Sequence, residues 1–474
     1  MATLGLLGVG WASAWAGTPP GTSRTVSAAF KPDGEWKDYP TRTLAELPAS
    51  ASLQVNAALS RFGGWSAHQL KATGFFRAEK IDGRWWLIDP DGSRLLHKGV
   101  ASVRTTATPG AVAALNGRFG DDNKWAQRTT EMLRENGFNG LGGWSDTEGL
   151  RRVEKPLVYT RLWNFMAGYG KKRSGTFQQP GHTGYPKDCI FVFDPEFEQF
   201  CGEYAEQLSG TKNDPWLLGH FSDNELPLPR EALKNYLSLP ERDPGFQAAR
   251  KWLQERHGTN ASVKDITEAD LQDFHGVVVD RYFKVVARAL KKHDPNHLYL
   301  GARFYGADLR HPEIFQACGP YVDVVSVNYY RAWTPEPEKL AMWEHESGRP
   351  VLITEWYAKG ADSMMPNTGG AGWLVKTQRD RGLFYQNFTL ALLESKVCVG
   401  WHWFKYMDND PDDKKVDPSN RDSNKGIVNN RYVPYAPLLD AMKQLNERVY
   451  SLVNFFDGQP ARQAGLADPP PKAD

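Results

Sequence analysis

The sequence predicts an α/β fold, a closed (β/α)8 or TIM barrel, with a small N-terminal β-hairpin extension. Three observations lead to this prediction. From residue 94 onward, short apolar runs alternate with amphipathic, helix-like stretches. Eight such runs can be counted, which is the number of parallel strands that closes this kind of barrel. The stretch from residue 61 to 93 instead alternates in hydropathy and is punctuated by Asp-Gly pairs, which are typical of hairpins.

The chain before the barrel divides into three stretches. Residues 1–17 are apolar and end in Ala-x-Ala patterns, which resembles the back half of a signal peptide without its basic start. Residues 18–60 are rich in Pro, Ser, Thr and Ala, and we expect a mostly irregular arm there. Asp82-Gly83 and Asp91-Gly92 then predict a small antiparallel unit at the bottom of the barrel. The predicted domains are a possible signal-peptide remnant (1–17), an arm and hairpin unit (18–93), a catalytic barrel (94–457) and a disordered tail (458–474).

The eight apolar runs are the predicted barrel strands. Their length and continuous apolar character suit strands that are buried on both faces. An open doubly wound sheet is the alternative, but such a sheet normally has a Gly-rich phosphate loop after its first strand, which this sequence lacks. In chain order the predicted strands are residues 95–103, 138–142, 157–162, 216–221, 298–303, 322–327, 351–354 and 398–403.

Amphipathic segments between these runs predict the helices. One of them ends at Gly137, a residue that commonly terminates helices. Two long insertions, residues 165–188 after the third strand and 227–270 after the fourth, are expected to wall the cleft. The predicted helices are residues 125–136, 195–208, 274–293, 383–395 and 435–454.

Two glutamates follow predicted buried strands. Glu225 ends the fourth strand and Glu355 ends the seventh, so both face the carboxyl-terminal mouth where barrel active sites lie. A buried carboxylate is costly unless it is paired or has a task. Hydrolysis of a glycosidic bond needs one carboxylic acid to protonate the leaving oxygen and a second carboxylate on the other side of the sugar. The two glutamates therefore predict a glycosidase site.

Further motifs resemble one family of enzymes. Asn224 directly precedes Glu225, and its amide is suited to hold a sugar hydroxyl. Asn-Glu after the fourth strand and Glu after the seventh resemble the signature of the clan A retaining glycoside hydrolases. The ordered set of segments resembles the β-agarases of glycoside hydrolase family 50 and their relatives, over roughly residues 61–457. These segments are residues 70–92, 97–100, 221–225, 300–304 and 352–355.

The resemblance implies roles for the two glutamates. Glu225 would be the general acid/base and Glu355 the nucleophile of a double displacement that retains configuration. A structural ion pair is the alternative role for both. The implied substrate is a β-linked, galactose-containing polysaccharide or oligosaccharide, and no cofactor is implied. A catalytically inactive carbohydrate-binding barrel, a transglycosylase and a clan A glycosidase acting on another β-glycan stay open as alternatives.

Six residues are predicted to bind substrate or to support the glutamates. In this clan an aromatic hydroxyl after the sixth strand often supports the nucleophile, and of Tyr329 and Tyr330 we favour Tyr329. The eighth strand often carries a tryptophan platform, here assigned to Trp403, with core packing as the alternative for both aromatic residues. Arg303 would bind a sugar or hold Glu355 ionised. The predicted set is Asn224, Tyr329, Arg303, Trp403, Asn328 and Trp144.

Composition excludes several other functions. The net charge of +1 and the absence of a basic tract give no reason to expect nucleic acid. No stretch is long and apolar enough to predict a membrane span, and the apolar start predicts a secreted or periplasmic protein. Seventeen Trp and eighteen Tyr suit both core packing and sugar stacking. The oligomeric state stays open.

The cysteines and one acidic loop are the remaining candidates for redox or metal sites. The four cysteines include no Cys-x-x-Cys, although Cys189 and Cys201 could pair in an exported protein. Residues 408–413 carry an Asp-x-Asp-x-Asp run that suits calcium. However, position six is Asp413 rather than Gly and position twelve is Ser419 rather than Glu. We therefore predict no metal site.

Overall fold

The computed structural model describes residues 24–458, apart from residues 49, 50, 52, 57, 180, 414, 415 and 417–420. The predicted signal-peptide remnant and residues 459–474 of the predicted tail lie outside the described residues. Among the helices of the described chain, none combines the length and apolar character that a membrane crossing requires.

The described residues form eighteen β-strands and thirteen α-helices. The strands are β1 (Thr25–Ala29), β2 (Lys37–Pro40), β3 (Trp65–Gln69), β4 (Arg77–Ile81), β5 (Arg84–Ile88), β6 (Ser93–Leu95), β7 (His97–Val100), β8 (Gly140–Leu141), β9 (Val158–Leu162), β10 (Phe177–Gln179), β11 (His182–Gly184), β12 (Leu217–Phe221), β13 (Leu298–Tyr299), β14 (Val325–Asn328), β15 (Val351–Glu355), β16 (Ala358–Gly360), β17 (Trp373–Val375) and β18 (Cys398–Trp403).

The helices cover most of the chain between the barrel strands. They are α1 (Pro109–Arg118), α2 (Asp122–Glu135), α3 (Thr147–Leu150), α4 (Phe165–Arg173), α5 (Phe197–Tyr204), α6 (Ala232–Leu237), α7 (Pro244–His257), α8 (Glu268–His293), α9 (Pro312–Cys318), α10 (Pro337–Ser347), α11 (Gln378–Ser395), α12 (Ala436–Asn446) and α13 (Val449–Asp457).

Eight parallel strands form the predicted barrel. Their order around the sheet is β13, β12, β9, β8, β7, β18, β15 and β14, and each lies within or overlaps one predicted apolar run. The two ends of the sheet meet, since Phe304 pairs in parallel with Val327 and the Asp323 amide donates to the Tyr299 carbonyl. The (β/α)8 prediction is confirmed.

The helix predictions are confirmed in place, and they differ from the structure at their ends and at one internal break. α8 begins at Glu268, six residues before the predicted start, because Thr267 and Asp270 form a capping box there. Thr377 and Asp380 similarly start α11 early. The predicted helix over residues 435–454 is two helices, α12 and α13, separated by a break at residues 447–448.

The hairpin extension closes the bottom of the barrel. Strands β3, β6, β5 and β4 form an antiparallel sheet, as the Asp-Gly signals predict. Apolar side chains that include Phe62, Phe76 and Leu87 pack against residues at or near the starts of the barrel strands. The barrel residues in this cluster are Val158, Leu218, Phe221, Leu298, Leu300, Val324, Leu352 and Val399.

The arm is more regular than the sequence predicts. β1 and β2 pair with each other, and β1 also pairs with β17, which lies beside β16 in the segment after Glu355. Lys359 of β16 donates to the carbonyl oxygen of Phe30, which follows β1. The arm is thus tied to the loop that follows the seventh barrel strand. The pairing partner lies more than 300 residues away, so local periodicity does not reveal it.

Candidate active site

The end of β12 is fixed by hydrogen bonds from two neighbouring helices. The Asp223 carboxylate accepts from the backbone amides of Met166 and Ala167 at the start of α4, and from the Tyr282 hydroxyl of α8. Ser222 shares a hydrogen bond with the same tyrosine. Burial raises the pKa of Asp223 to about 7, against these donors. Ser222 and Asp223 therefore support the strand end that carries Asn224 and Glu225.

Glu225 is held by the amide of Asn328. The Asn328 Nδ2 donates to Glu225 Oε1 over 2.8 Å. The Thr354 hydroxyl donates to Asn328 Oδ1 over 2.7 Å, and this bond turns the amide nitrogen toward Glu225. Glu225 itself has a φ of 52°, in the left-handed region that few residues other than glycine adopt. The sharp turn lets its side chain enter the mouth directly after the strand.

Glu355 has two strong donors. Arg303 Nη2 lies 2.6 Å from Glu355 Oε1, and the Tyr330 hydroxyl donates to Oε2. Arg303 also donates to the Thr354 carbonyl. A guanidinium and a hydroxyl that both point at a carboxylate stabilise its charged form. The arrangement suits a nucleophile that must stay ionised.

Arg303 also orients Asn224. Its Nη1 donates to Asn224 Oδ1 over 2.6 Å, and Asn328 Nδ2 lies 3.3 Å from the same oxygen. With Oδ1 held by two donors, the amide nitrogen of Asn224 is the group left to face a ligand. A sugar hydroxyl next to the reacting carbon is a suitable acceptor. The predicted grouping of Asn224, Arg303, Asn328 and the two glutamates is what the structure brings together.

The two glutamates have different electrostatic surroundings. Burial raises the pKa of Glu225 to about 7, and the negative charge of Glu355 adds to this shift. The Asn328 hydrogen bond and the charges of Arg303 and Lys425 act in the opposite direction on this pKa but do not cancel it. Glu225 is therefore suited to carry a proton near neutral pH, while Glu355 is paired with Arg303.

The choice of Tyr329 is wrong, and Tyr330 takes its place. The Tyr329 hydroxyl accepts from the Glu336 amide, and its ring packs edge-on against Trp343 at 5.1 Å. Side chains alternate in direction along a strand. Asn328 at the end of β14 points into the mouth, so Tyr329 points out and Tyr330 points in again.

Trp403 is not a sugar platform. It is 0% exposed, its ring packs edge-on against Trp356 at 5.3 Å, and its indole nitrogen donates to the Lys425 carbonyl. Trp401 donates to the Tyr385 hydroxyl of α11 and is also buried. Residues two apart lie on the same face of a strand, so both tryptophans pack outward and His402 points into the barrel.

Trp144 lies at the open side of the site. It is 37% exposed, and its ring centroid is 6.0 Å from the Arg303 guanidinium carbon. It lines a pocket of about 160 Å³ together with residues of the loop after β9 and the end of β12. The other lining residues are Asn164, Ala167, Gln178, Gly181, His182, Thr183, Tyr185, Asp223, Asn224 and Leu226. The predicted wall 165–188 therefore borders the site.

Sequence reasoning missed three residues beside Glu225. His182 Nδ1 lies 3.9 Å from Glu225 Oε2, and His182 Nε2 lies 3.3 Å from the Tyr305 hydroxyl. Asp308 is buried, and burial together with the charge of Glu225 raises its pKa. Tyr305 and Asp308 follow Arg303 closely in the chain, and this proximity is the sequence signal that could have found them. His182 has no such signal beyond its place in the insertion after the third strand.

Other candidate groups have structural partners. His97 and His402 share a hydrogen bond of 2.7 Å inside the barrel. The Asp408 carboxylate accepts from the Gly426 amide and the Asn424 side chain. Its oxygens are thus occupied by protein donors. The four cysteines are Cys189, Cys201, Cys318 and Cys398, and all are buried and unpaired with one another.

One group of side chains among the described residues has the spacing of a metal site. His220, Asp294 and His297 are buried, with one ligand atom from each within 4.8 Å of the others. Both histidines contact Asp294 Oδ2, and the remaining ring nitrogens contact the Trp163 indole and the Asp214 carbonyl. Each ring nitrogen therefore has a hydrogen-bond partner in the protein. The cluster forms a hydrogen-bond network between His220 of β12 and the residues that precede β13.

The comparisons with known proteins agree with the barrel fold. No family model matches the sequence. The crystal structure of BpGH50 superposes with a TM-score of 0.81 at 30% sequence identity, covering 93% of this chain and 98% of that chain. An exo-beta-agarase structure gives a TM-score of 0.69 at 25% identity, covering 86% of this chain and 69% of that chain.

A curated relative is longer than this chain. Beta-agarase B from Vibrio sp. (strain JT0107) is 26% identical over 517 residues, which cover 88% of this chain and 53% of the relative. Beta-agarase A from the same organism is 24% identical and is covered to 46%. The chain spans about half the length of the curated relatives it matches.

The protonation of Glu225 predicts a pH dependence. If Glu225 must donate a proton, kcat/KM falls as pH rises through its pKa of about 7, with the loss of one proton. We expect this limb in a kcat/KM profile measured between about pH 5 and 9. A rate that stays constant to the alkaline end of that range would contradict the assignment of Glu225 as acid.

The two neighbouring tyrosines provide a matched pair of variants. Tyr330→Phe removes a donor to Glu355 and should lower kcat by about tenfold or more. Tyr329→Phe removes only a hydrogen bond to the Glu336 amide and should leave kcat within about twofold. Steady-state kinetics and melting temperatures of both variants check this. Equal losses in the two variants would show that the hydroxyl on Glu355 has no special role.

Proposed function

This chain belongs to glycoside hydrolase family 50, and we propose that it hydrolyses a β-linked, galactose-containing polysaccharide or oligosaccharide of the agar type. The proposal includes a retaining mechanism with Glu225 as general acid/base and Glu355 as nucleophile. The observation that carries it is the network in which Arg303 contacts Glu355 while Asn328 contacts Glu225. Burial raises the pKa of Glu225 to about 7, and Glu355 is paired with Arg303, which supports the division of roles in this mechanism.

In the first step, Glu355 attacks the anomeric carbon and Glu225 donates its proton to the leaving oxygen. Arg303 and Tyr330 hold the Glu355 carboxyl group in place by hydrogen bonds before the attack. Asn224 Nδ2 donates to the hydroxyl beside the anomeric carbon. The product of this step is a covalent glycosyl-enzyme and a free leaving sugar.

In the second step, Glu225 accepts a proton from a water molecule, and the oxygen of that water attacks the anomeric carbon. The bond to Glu355 breaks, and the sugar leaves with its original configuration. Both steps use groups of this chain alone. The same geometry would transfer the glycosyl group to another sugar if a hydroxyl replaced the water.

The names of the relatives support the substrate class. Two curated relatives are beta-agarases, and a solved structure of similar fold is an exo-beta-agarase. Trp144 offers a half-exposed aromatic face beside Asn224, on which a sugar ring can stack. A polysaccharide does not cross a membrane intact, so this substrate class favours action outside the cytoplasm.

Variants of the two glutamates test the mechanism. With an activated aryl β-galactoside as substrate, Glu355→Ala should abolish turnover by at least about a thousandfold. Glu225→Ala should lose activity and regain it with added azide, because azide replaces the water that Glu225 activates. Glu255→Ala on α7, whose side chain is 64% exposed, is the matched control. Full activity of either active-site variant without azide would contradict the roles.

The substrate is tested separately by a product screen on agarose, porphyran, carrageenan and simple β-galactosides. Cleavage of galactans supports the proposed substrate class. Cleavage of β-mannosides or β-glucosides alone would contradict that class while leaving the two-glutamate chemistry in place. Binding without cleavage by the wild-type protein would identify a carbohydrate-binding barrel instead.

A further inference from the structure

The two oxygens of Glu225 have different surroundings. Oε1 accepts a hydrogen bond from Asn328, which is fixed in turn by Thr354. Oε2 is the oxygen left to exchange a proton. The imidazole of His182 approaches Oε2, with Nδ1 at 3.9 Å, and the His182 side chain is 15% exposed.

His182 comes from outside the barrel framework. It opens β11, which pairs with β10 in a small hairpin within the insertion after β9. The other ring nitrogen, Nε2, lies 3.3 Å from the hydroxyl of Tyr305, and the two ring centroids are 5.3 Å apart. Tyr305 follows Arg303 at the mouth of the fifth strand. The imidazole is therefore oriented between a barrel residue and the acid/base.

We propose that His182 is a positioning residue for Glu225, donating Nδ1–H to Oε2 once that oxygen has given its proton to the leaving sugar. The Tyr305 hydroxyl donates to Nε2 and so selects the tautomer with the proton on Nδ1. The proton on Glu225 goes to the leaving oxygen, and His182 itself neither gains nor loses one. This role rests on the proposed function of Glu225.

The distance fits a contact that forms during the reaction. At 3.9 Å the two atoms lie about 1 Å beyond hydrogen-bond distance. A protonated Glu225 attracts the imidazole weakly, whereas a charged carboxylate attracts an N–H donor strongly. The hairpin that carries His182 has three paired residues on each strand. A small shift of this hairpin would close the gap.

The other charged groups around Glu225 belong to the barrel and its mouth loops. Glu355 raises the pKa of Glu225, whereas Arg303 and Lys425 lower it. Asp308, after the fifth strand, also interacts electrostatically with Glu225. None of these groups is on the hairpin. Replacement of His182 therefore removes one neighbour of Oε2, together with the contact to Tyr305, and leaves these charged groups unchanged.

The pH profile distinguishes this role from simple packing. A donor to the carboxylate lowers the pKa of Glu225, so His182→Ala should raise it and move the alkaline limb of kcat/KM up by about one pH unit. It should also lower kcat on an agar oligosaccharide by about tenfold. An activated aryl galactoside needs little proton donation to its leaving group, so we expect a smaller loss with that substrate.

Three further variants complete the experiment. His182→Gln keeps an N–H donor, so its alkaline limb of kcat/KM should lie close to the wild-type pH. Tyr305→Phe should shift this limb in the same direction as His182→Ala, but by less. The control is His345→Gln, because the His345 side chain is 82% exposed on α10. If circular dichroism shows that His182→Ala is misfolded, His182→Gln and Tyr305→Phe provide the test. The alkaline limb of kcat/KM should then lie at a higher pH in Tyr305→Phe than in His182→Gln.

The outcomes separate this inference from the proposed function. A wild-type alkaline limb, within about 0.2 pH unit, in both His182→Ala and Tyr305→Phe would overturn the role of His182, even if kcat fell. Glu225→Ala would still be inactive in that case, and the proposed function would stand. If wild-type protein cleaved no galactan, or Glu225→Ala were fully active, the proposed function itself would be wrong.

Discussion

The contact between Arg303 and Glu355 is the interaction on which the site depends. Two carboxyl groups near each other in a half-buried cleft cannot both stay ionised without compensation. The Arg303 guanidinium lies 2.6 Å from one of them and is itself fully buried. Burial and the charge of Glu355 raise the pKa of Glu225 to about 7, and this asymmetry between the two glutamates is the basis of the proposed acid/base and nucleophile roles.

Holding Arg303 in this position requires an unusual backbone. Its φ is 56°, in the left-handed region, and its amide donates to the Ser326 hydroxyl over 3.0 Å. The same guanidinium contacts Asn224, so one side chain holds both Glu355 and the amide of Asn224. Strands β12, β13, β14 and β15 supply these groups around one mouth, and the packed hairpin extension closes the opposite end. The site is thus built mainly from residues at or just after the ends of the barrel strands.

The sequence was sufficient to predict the groups whose position follows directly from a strand end. Glu225, Glu355, Asn224 and Arg303 each stand where an apolar run stops, and the barrel brings all such ends to one face. The choice between Tyr329 and Tyr330 failed because it depends on the exact register at the end of β14. Trp403 failed because both tryptophans of β18 share the outer face.

Other features depend on pairing between distant segments, which a single sequence does not show. The arm strand β1 finds its partner in β17. His182 approaches Glu225 only because a hairpin folds back over the mouth. Short strands with little alternation, in segments rich in Gly and polar residues, gave no local signal for either contact.

The configuration of the first product tests the central claim most directly. Hydrolysis of an agar oligosaccharide can be followed by proton NMR before the new reducing end equilibrates in water. A double displacement through Glu355 predicts that the β-anomer forms first and the α-anomer appears only by mutarotation. If the α-anomer formed first, Glu355 would not be a nucleophile, and a single displacement by water would have to replace this mechanism.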